Sequence, residues 1–139
     1  MLAEEVFLDS VYPIALASST DQHHGRAVAV AAELRAKKPR IITTRAIVLE
    51  IGNALAKPRF RPAAIELLQS LAGDPLVEIV PLSEPLCQRG FELFRKRPDK
   101  AWSLTDCISF VVMEDRRLQQ ALTHDEHFEQ AGFRALLRG

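Results

Sequence analysis

The sequence predicts an α/β fold, with a central parallel sheet of about five strands and helices on both faces. Three observations predict it. Short runs rich in β-branched and aromatic residues alternate along the chain with longer stretches whose apolar residues recur every three or four positions. Pro39, Pro58, Pro62 and Gly73 fall at the boundaries of those longer stretches. Strand alternating with helix is the signature of parallel strands sandwiched between helices.

Each element can be justified in turn. Residues 5–9, Glu-Val-Phe-Leu-Asp, read as a first strand. Residues 22–37 place Ala27, Val30, Ala31 and Leu34 on one helical face, and Lys37-Lys38-Pro39 stops the helix. Residues 40–44, Arg-Ile-Ile-Thr-Thr, are β-branched and short enough for a buried second strand, and the helix that follows from Arg45 is ended by Pro58. Residues 61–74 form a further helix, with Pro62 near its start and Gly73 near its end. A third strand rich in Val and Ile spans residues 76–82, and a helix covers Glu84 to Lys96. After a loop over 97–103 comes a helix opening Ser-Leu-Thr-Asp, then a short strand at 120–124 and a last one near 133–137.

With 139 residues, 47% of them hydrophobic, and no repeat, low-complexity tract or linker, the chain reads as one domain spanning residues 1–139. Its 18 basic and 18 acidic residues cancel, so charge alone gives no nucleic-acid footprint. Local basic stretches at 57–61 and 95–100 read first as solvated loops and helix ends. The two cysteines, Cys87 and Cys107, form neither a metal-binding pair nor a disulfide framework, which fits a reducing, cytoplasmic setting. The acidic N-terminus differs from a signal peptide, and no apolar run approaches bilayer length.

Four carboxylates carry the functional signal. Ligands of an open parallel sheet bind beyond the carboxyl ends of its strands. Asp9 directly follows the apolar run of the first strand, and Asp125 follows the fourth. Glu50 shares a helical stripe with Ala46, Ile47, Asn53 and Ala54, a face that points inward. Asp106 opens a helix that is apolar almost all round, so its start sits near the core. Each acid alone has a plainer reading: a turn residue at Asp9, an ion-paired Glu50, a capping box from Ser103 to Asp106, a helix cap at Asp125. Together, four carboxylates drawn to one core edge repel one another unless a cation binds, and hard Mg²⁺ or Mn²⁺ ions prefer oxygen ligands.

The same stretches resemble the PIN domain ribonucleases, and within them the VapC-type toxins of bacterial toxin–antitoxin pairs. The resemblance covers nearly the whole chain. It rests on the opening strand ending Asp9-Ser10, the helix carrying Glu50 and Asn53, the Ser-Leu-Thr-Asp start at residues 103–106, and Thr123-x-Asp125-x-x-Phe128 with Gly132 shortly after. It implies a PIN-like sheet, an acidic pocket of Asp9, Glu50, Asp106 and Asp125 that binds Mg²⁺ or Mn²⁺, and cleavage of single-stranded or structured RNA. Ser10, Asn53 and Thr123 match supporting polar positions. A cognate antitoxin and a homodimer are implied as partners, and no membrane. Residues 113–122 lack the glycine that many relatives carry before the fourth strand, and Arg45, Lys57 and Arg59 are candidates for contacting RNA phosphates.

The competing reading is a non-catalytic PIN-like protein-binding module whose acids act as caps and ion-pair partners. Two other α/β classes are excluded by position. Haloacid dehalogenase-like phosphatases need an aspartate two residues after the first, where this chain has Val11; receiver domains need an acidic pair after the first strand, whereas Glu4 and Glu5 precede it. His23 and His24 read as a solvated helix end and Trp102 as core cover, so all three stay outside the site.

Overall fold

The computed structural model describes residues 1–138. Its strands are β1 (Glu5–Leu8), β2 (Arg40–Thr44), β3 (Val77–Val80), β4 (Gln120–Leu122) and β5 (Arg134–Ala135). They form one sheet in the order β3-β2-β1-β4-β5, with every neighbouring pair parallel. The helices are α1 (Val11–Ala17), α2 (His24–Lys37), α3 (Arg45–Ala54), α4 (Arg61–Gly73), α5 (Glu84–Lys96), α6 (Leu104–Asp115) and α7 (Glu126–Gln130).

The central strand β1 shows how the sheet is clamped. Its side chains alternate, so Val6 and Leu8 point to one face and Phe7 to the other. Val6 and Leu8 pack with Tyr12 and Ala15 of α1, Ala27 and Val30 of α2, and Leu122. Phe7 packs with Ile47 and Ile51 of α3, Leu86 of α5, Phe110 of α6 and Phe128 of α7. Both faces are therefore covered, as an all-parallel sheet requires.

On the second face, α6 is buried over seven consecutive residues, Cys107 to Met113. It lies so close to α5 that a Cβ on Gly90 would sit 2.5 Å from Cγ1 and 3.3 Å from Cα of Ile108. A glycine is what allows these two helices to touch. At its far end α6 closes in a left-handed turn: the Leu118 N–H donates to the Met113 carbonyl at 2.9 Å while Arg117 adopts φ 55°. The chain makes this turn without the glycine whose absence was noted in the sequence, and Arg117 carries the backbone strain in its place.

Two helices give no periodic signal in the sequence. In α1 the run Val-Tyr-Pro-Ile-Ala-Leu-Ala is apolar on nearly all sides; Tyr12, Pro13 and Ala15 are buried, and Tyr12 and Ala15 share one core with the sheet and α2. The five-residue α7 is too short to show a period. Strand ends also draw in: β1 stops at Leu8 and β4 at Leu122, which leaves Asp9, Thr123 and Asp125 beyond the ladder.

Candidate metal centre at the carboxyl ends of β1 and β4

The strand order places a topological switch point beside β1. From β1 the chain steps through β2 to β3 on one side, then returns to lay β4 and β5 on the other. The crevice between strands that leave in opposite directions opens at their carboxyl ends. There, Leu8 of β1 is in register with Leu122 of β4. One residue further on, Asp9 and Thr123 meet, and the Thr123 hydroxyl donates to Asp9 Oδ2 at 2.7 Å.

Asp9 is 4% exposed. Burial raises its pKa from the ordinary 3.8 to about 7; the Thr123 hydroxyl and a Ser10 backbone bond oppose that rise, and the charges of Asp106 and Glu50 add to it. The pocket thus holds a carboxyl that is starved of positive charge. Ser10, also buried, donates its hydroxyl to Glu50 Oε1 at 3.0 Å. Glu50 reaches this point because Thr44, at the end of β2, caps α3 by accepting the Ile47 N–H. Its pKa is raised as well, first by burial and then by Asp106 and Asp125, against the hydroxyls of Ser10 and Thr105.

Asp106 sits in the first turn of α6. A reciprocal capping box holds it: its backbone N–H donates to Ser103 Oγ, and its Oδ2 accepts the Ser103 N–H, both at 3.0 Å. Asp125 caps α7, its Oδ1 accepting the His127 N–H at 2.8 Å, while its own N–H donates to Thr123 Oγ1 at 3.0 Å. The plainer readings of both aspartates are therefore correct as far as they go. Capping engages one oxygen of each and leaves the residue facing its fellow acids.

The structure thus brings Asp9, Glu50, Asp106 and Asp125 into one electrostatically coupled pocket, with Ser10 and Thr123 bonded to two of them. It does not bring Asn53 in. That side chain lies exposed one turn beyond Glu50, where the face of α3 turns outward, and it makes no hydrogen bond to the acids among the described residues. Arg45 is exposed at the start of α3, and Lys57 and Arg59 are exposed in the loop after it, with the Arg59 guanidinium 4.6 Å from the centre of the Phe60 ring.

Sequence reasoning missed His127. Its Nδ1 lies 2.9 Å from Asp106 Oδ2 and 3.3 Å from Asp125 Oδ1, and the three residues offer ligand atoms within 4.8 Å of one another. The only available signal was its spacing two residues after Asp125, meaningful once α7 is known to turn there. Thr105, in the Ser-Leu-Thr-Asp start of α6, was not singled out either, although its hydroxyl acts on Glu50. His23 is not a free helix end: its ring stacks on that of His124 with centroids 3.8 Å apart, and burial with the neighbouring His23 lowers the His124 pKa. His24 Nδ1 instead bonds the Ala15 carbonyl at 2.8 Å. Trp102 does cover core, edge-on to Phe110 at 5.0 Å.

A parallel α/β sheet whose switch point gathers acids from α3, α6 and the segments just beyond β1 and β4 defines a PIN domain. The sequence pattern of that family matches residues 6–134, and the chain belongs to it. It is similar to VapC20 of Mycobacterium tuberculosis, described as a 23S rRNA-specific endonuclease, in strains CDC 1551 / Oshkosh and ATCC 25618 / H37Rv. Identity to each is 27% over 128 residues, covering 92% of this chain and 95% of the relative. The crystal structure of M. tuberculosis VapC20, described as a sarcin-ricin loop cleaving toxin, superposes with a TM-score of 0.79 at 25% identity, over 92% of this chain and 95% of that one. Among the described residues, no helix is long and apolar enough to cross a membrane.

Proposed function

We propose that the chain is a divalent-metal-dependent endoribonuclease, the toxin of a toxin–antitoxin pair, and that Asp9, Glu50, Asp106 and Asp125 are its metal-holding residues. One observation carries this reading: at the switch point Asp106 and Asp125 offer ligand atoms within 4.8 Å of one another, and beside them Asp9 and Glu50 have raised pKa values, Asp9 to about 7, through burial and the charge of neighbouring acids. Such a pocket is tolerable when a cation completes it. The donors are hard carboxylate oxygens, a set that suits Mg²⁺ or Mn²⁺.

A bound ion supplies Lewis acidity and an acidified water for phosphodiester hydrolysis. The chain's own contribution is placement. Thr123 and Ser10 fix one oxygen each of Asp9 and Glu50, and the caps of α6 and α7 fix Asp106 and Asp125. Each acid is thereby oriented before metal and substrate arrive, which lowers the ordering cost of binding. Arg45, Lys57 and Arg59, all exposed, are the groups we assign to RNA phosphates.

The similarity to VapC20 makes a structured loop of large-subunit ribosomal RNA the first substrate class to test. It also supports a cognate antitoxin as partner, with homodimerisation and a cytoplasmic, one-domain protein as further parts of the proposal. Purified protein incubated with ribosomal and total RNA is expected to cut in Mn²⁺ or Mg²⁺ and to stop in EDTA, and Asp106→Asn is expected to be inactive. Absence of cleavage across a broad RNA panel in every divalent metal would leave the non-catalytic binding module as the better reading.

A further inference from the structure

His127 touches two of the proposed metal-holding residues, and none of the roles above uses it. We infer that His127 is a positioning residue: its ring Nδ1–H holds Asp106 while its backbone N–H holds Asp125, so that the remaining oxygen of each is presented to one cation. The inference rests on the metal-centre reading and extends it to a residue outside the acidic quartet.

The geometry supports donation rather than ligation. Ionised carboxylates only accept hydrogen bonds, so an imidazole nitrogen 2.9 Å from Asp106 Oδ2 and 3.3 Å from Asp125 Oδ1 must carry the hydrogen. Nδ1 committed in this way has no lone pair for a metal, and the lone pair left on Nε2 points away from both aspartates. The oxygens are divided accordingly. Oδ2 of Asp106 takes both the Ser103 N–H and the His127 ring, and Oδ1 of Asp125 takes the His127 backbone N–H and faces the same ring. Oδ1 of Asp106 and Oδ2 of Asp125 have no hydrogen-bond donor among the described residues, so both are open to a cation.

The yoke is needed because the two aspartates belong to different elements. Asp106 rides on α6 and Asp125 on the loop after β4, and His127 makes hydrogen bonds to both. Its own backbone is held firmly. The adjacent Phe128 is fully buried, edge-on to Phe110 of α6 at 5.0 Å and 6.2 Å from the ring of Phe7 in β1. The core therefore fixes the hinge from which the imidazole reaches back. Groups that orient metal-bound carboxylates in this manner typically contribute 10–100-fold in metal affinity.

Calorimetric Mn²⁺ titration of the purified chain tests this without reference to catalysis. His127→Ala is expected to weaken Mn²⁺ binding by roughly 10–100-fold, and His127→Asn, whose amide N–H falls near the place of Nδ1, to recover most of the loss. Denaturation in EDTA checks that each variant folds. If the alanine variant does not, His127→Asn is compared with His127→Gln, whose donor falls nearer Nε2, and asparagine should bind more tightly. Equal affinity in wild type and His127→Ala would overturn the inference alone, as would directly coordinated nitrogen in the electron paramagnetic resonance spectrum of the Mn²⁺ complex. A wild-type chain that binds no Mn²⁺ would instead remove the metal-centre reading, and the yoke with it.

Discussion

Replacing Asp9 by asparagine should stabilise the metal-free protein, by an amount that depends on pH. In the fold the carboxyl has a pKa of about 7, against 3.8 ordinarily, chiefly because it is buried. Below pH 3.8 Asp9 is protonated in both folded and unfolded chains and costs nothing. As pH rises toward 7 the unfolded chain ionises first, so the fold progressively loses stability, and above 7 the loss is complete. A displacement of about three pH units corresponds to about 4 kcal/mol. Asparagine keeps an acceptor for the Thr123 hydroxyl and never ionises. Urea denaturation in EDTA should therefore show Asp9→Asn ahead of wild type at pH 8, with the gap roughly 2 to 3 kcal/mol wider than at pH 5. Millimolar Mn²⁺ should narrow the gap, because wild type gains more binding free energy from the ion than a variant short of one carboxylate. A gap that stays constant or narrows with pH would show that Asp9 is not the strained carboxyl described here.

Three further outcomes are expected. Thr123→Val removes the hydroxyl that donates to Asp9 and accepts from Asp125, and it should cost about 1 to 3 kcal/mol in the same assay at pH 8. Arg117→Gly relieves a left-handed residue at the end of α6 and should raise stability by up to about 1 kcal/mol, the relief being partly offset by the greater freedom of the unfolded chain. Gly90→Ala drives a methyl into Ile108 and should destabilise by about 1 to 3 kcal/mol in thermal or urea unfolding, with α5 and α6 forced apart.

The architecture was legible because β2 and β3 announce themselves by β-branched residues and α2 and α3 by their period, while α6 was read from its unbroken apolar run. Where the signal failed, the cause was local. The run of α1 is apolar on nearly all sides and α7 has too few residues for a period, whereas the last strand was expected near 133–137 and forms over Arg134–Ala135. Legibility of the pocket divides along the same line. Asp9 and Asp125 could be placed from strand ends, Glu50 and Asp106 from helix faces, and the structure brings all four together. Asn53 was assigned from the family resemblance as a polar companion of Glu50, and the turn of α3 carries it outward instead. His127 could not be read at all, since its position depends on a five-residue helix whose anchor, Phe128, packs against residues far away in the sequence.

The most direct measurement is anomalous diffraction from crystals soaked in Mn²⁺. Manganese density should appear at the carboxyl ends of β1 and β4, within bonding distance of oxygens from Asp9, Asp106 and Asp125 and close to Glu50, with His127 still bonded to the two aspartates. Density elsewhere on the surface, with these four carboxylates uncoordinated at saturating metal, would contradict a metal centre at this edge of the sheet.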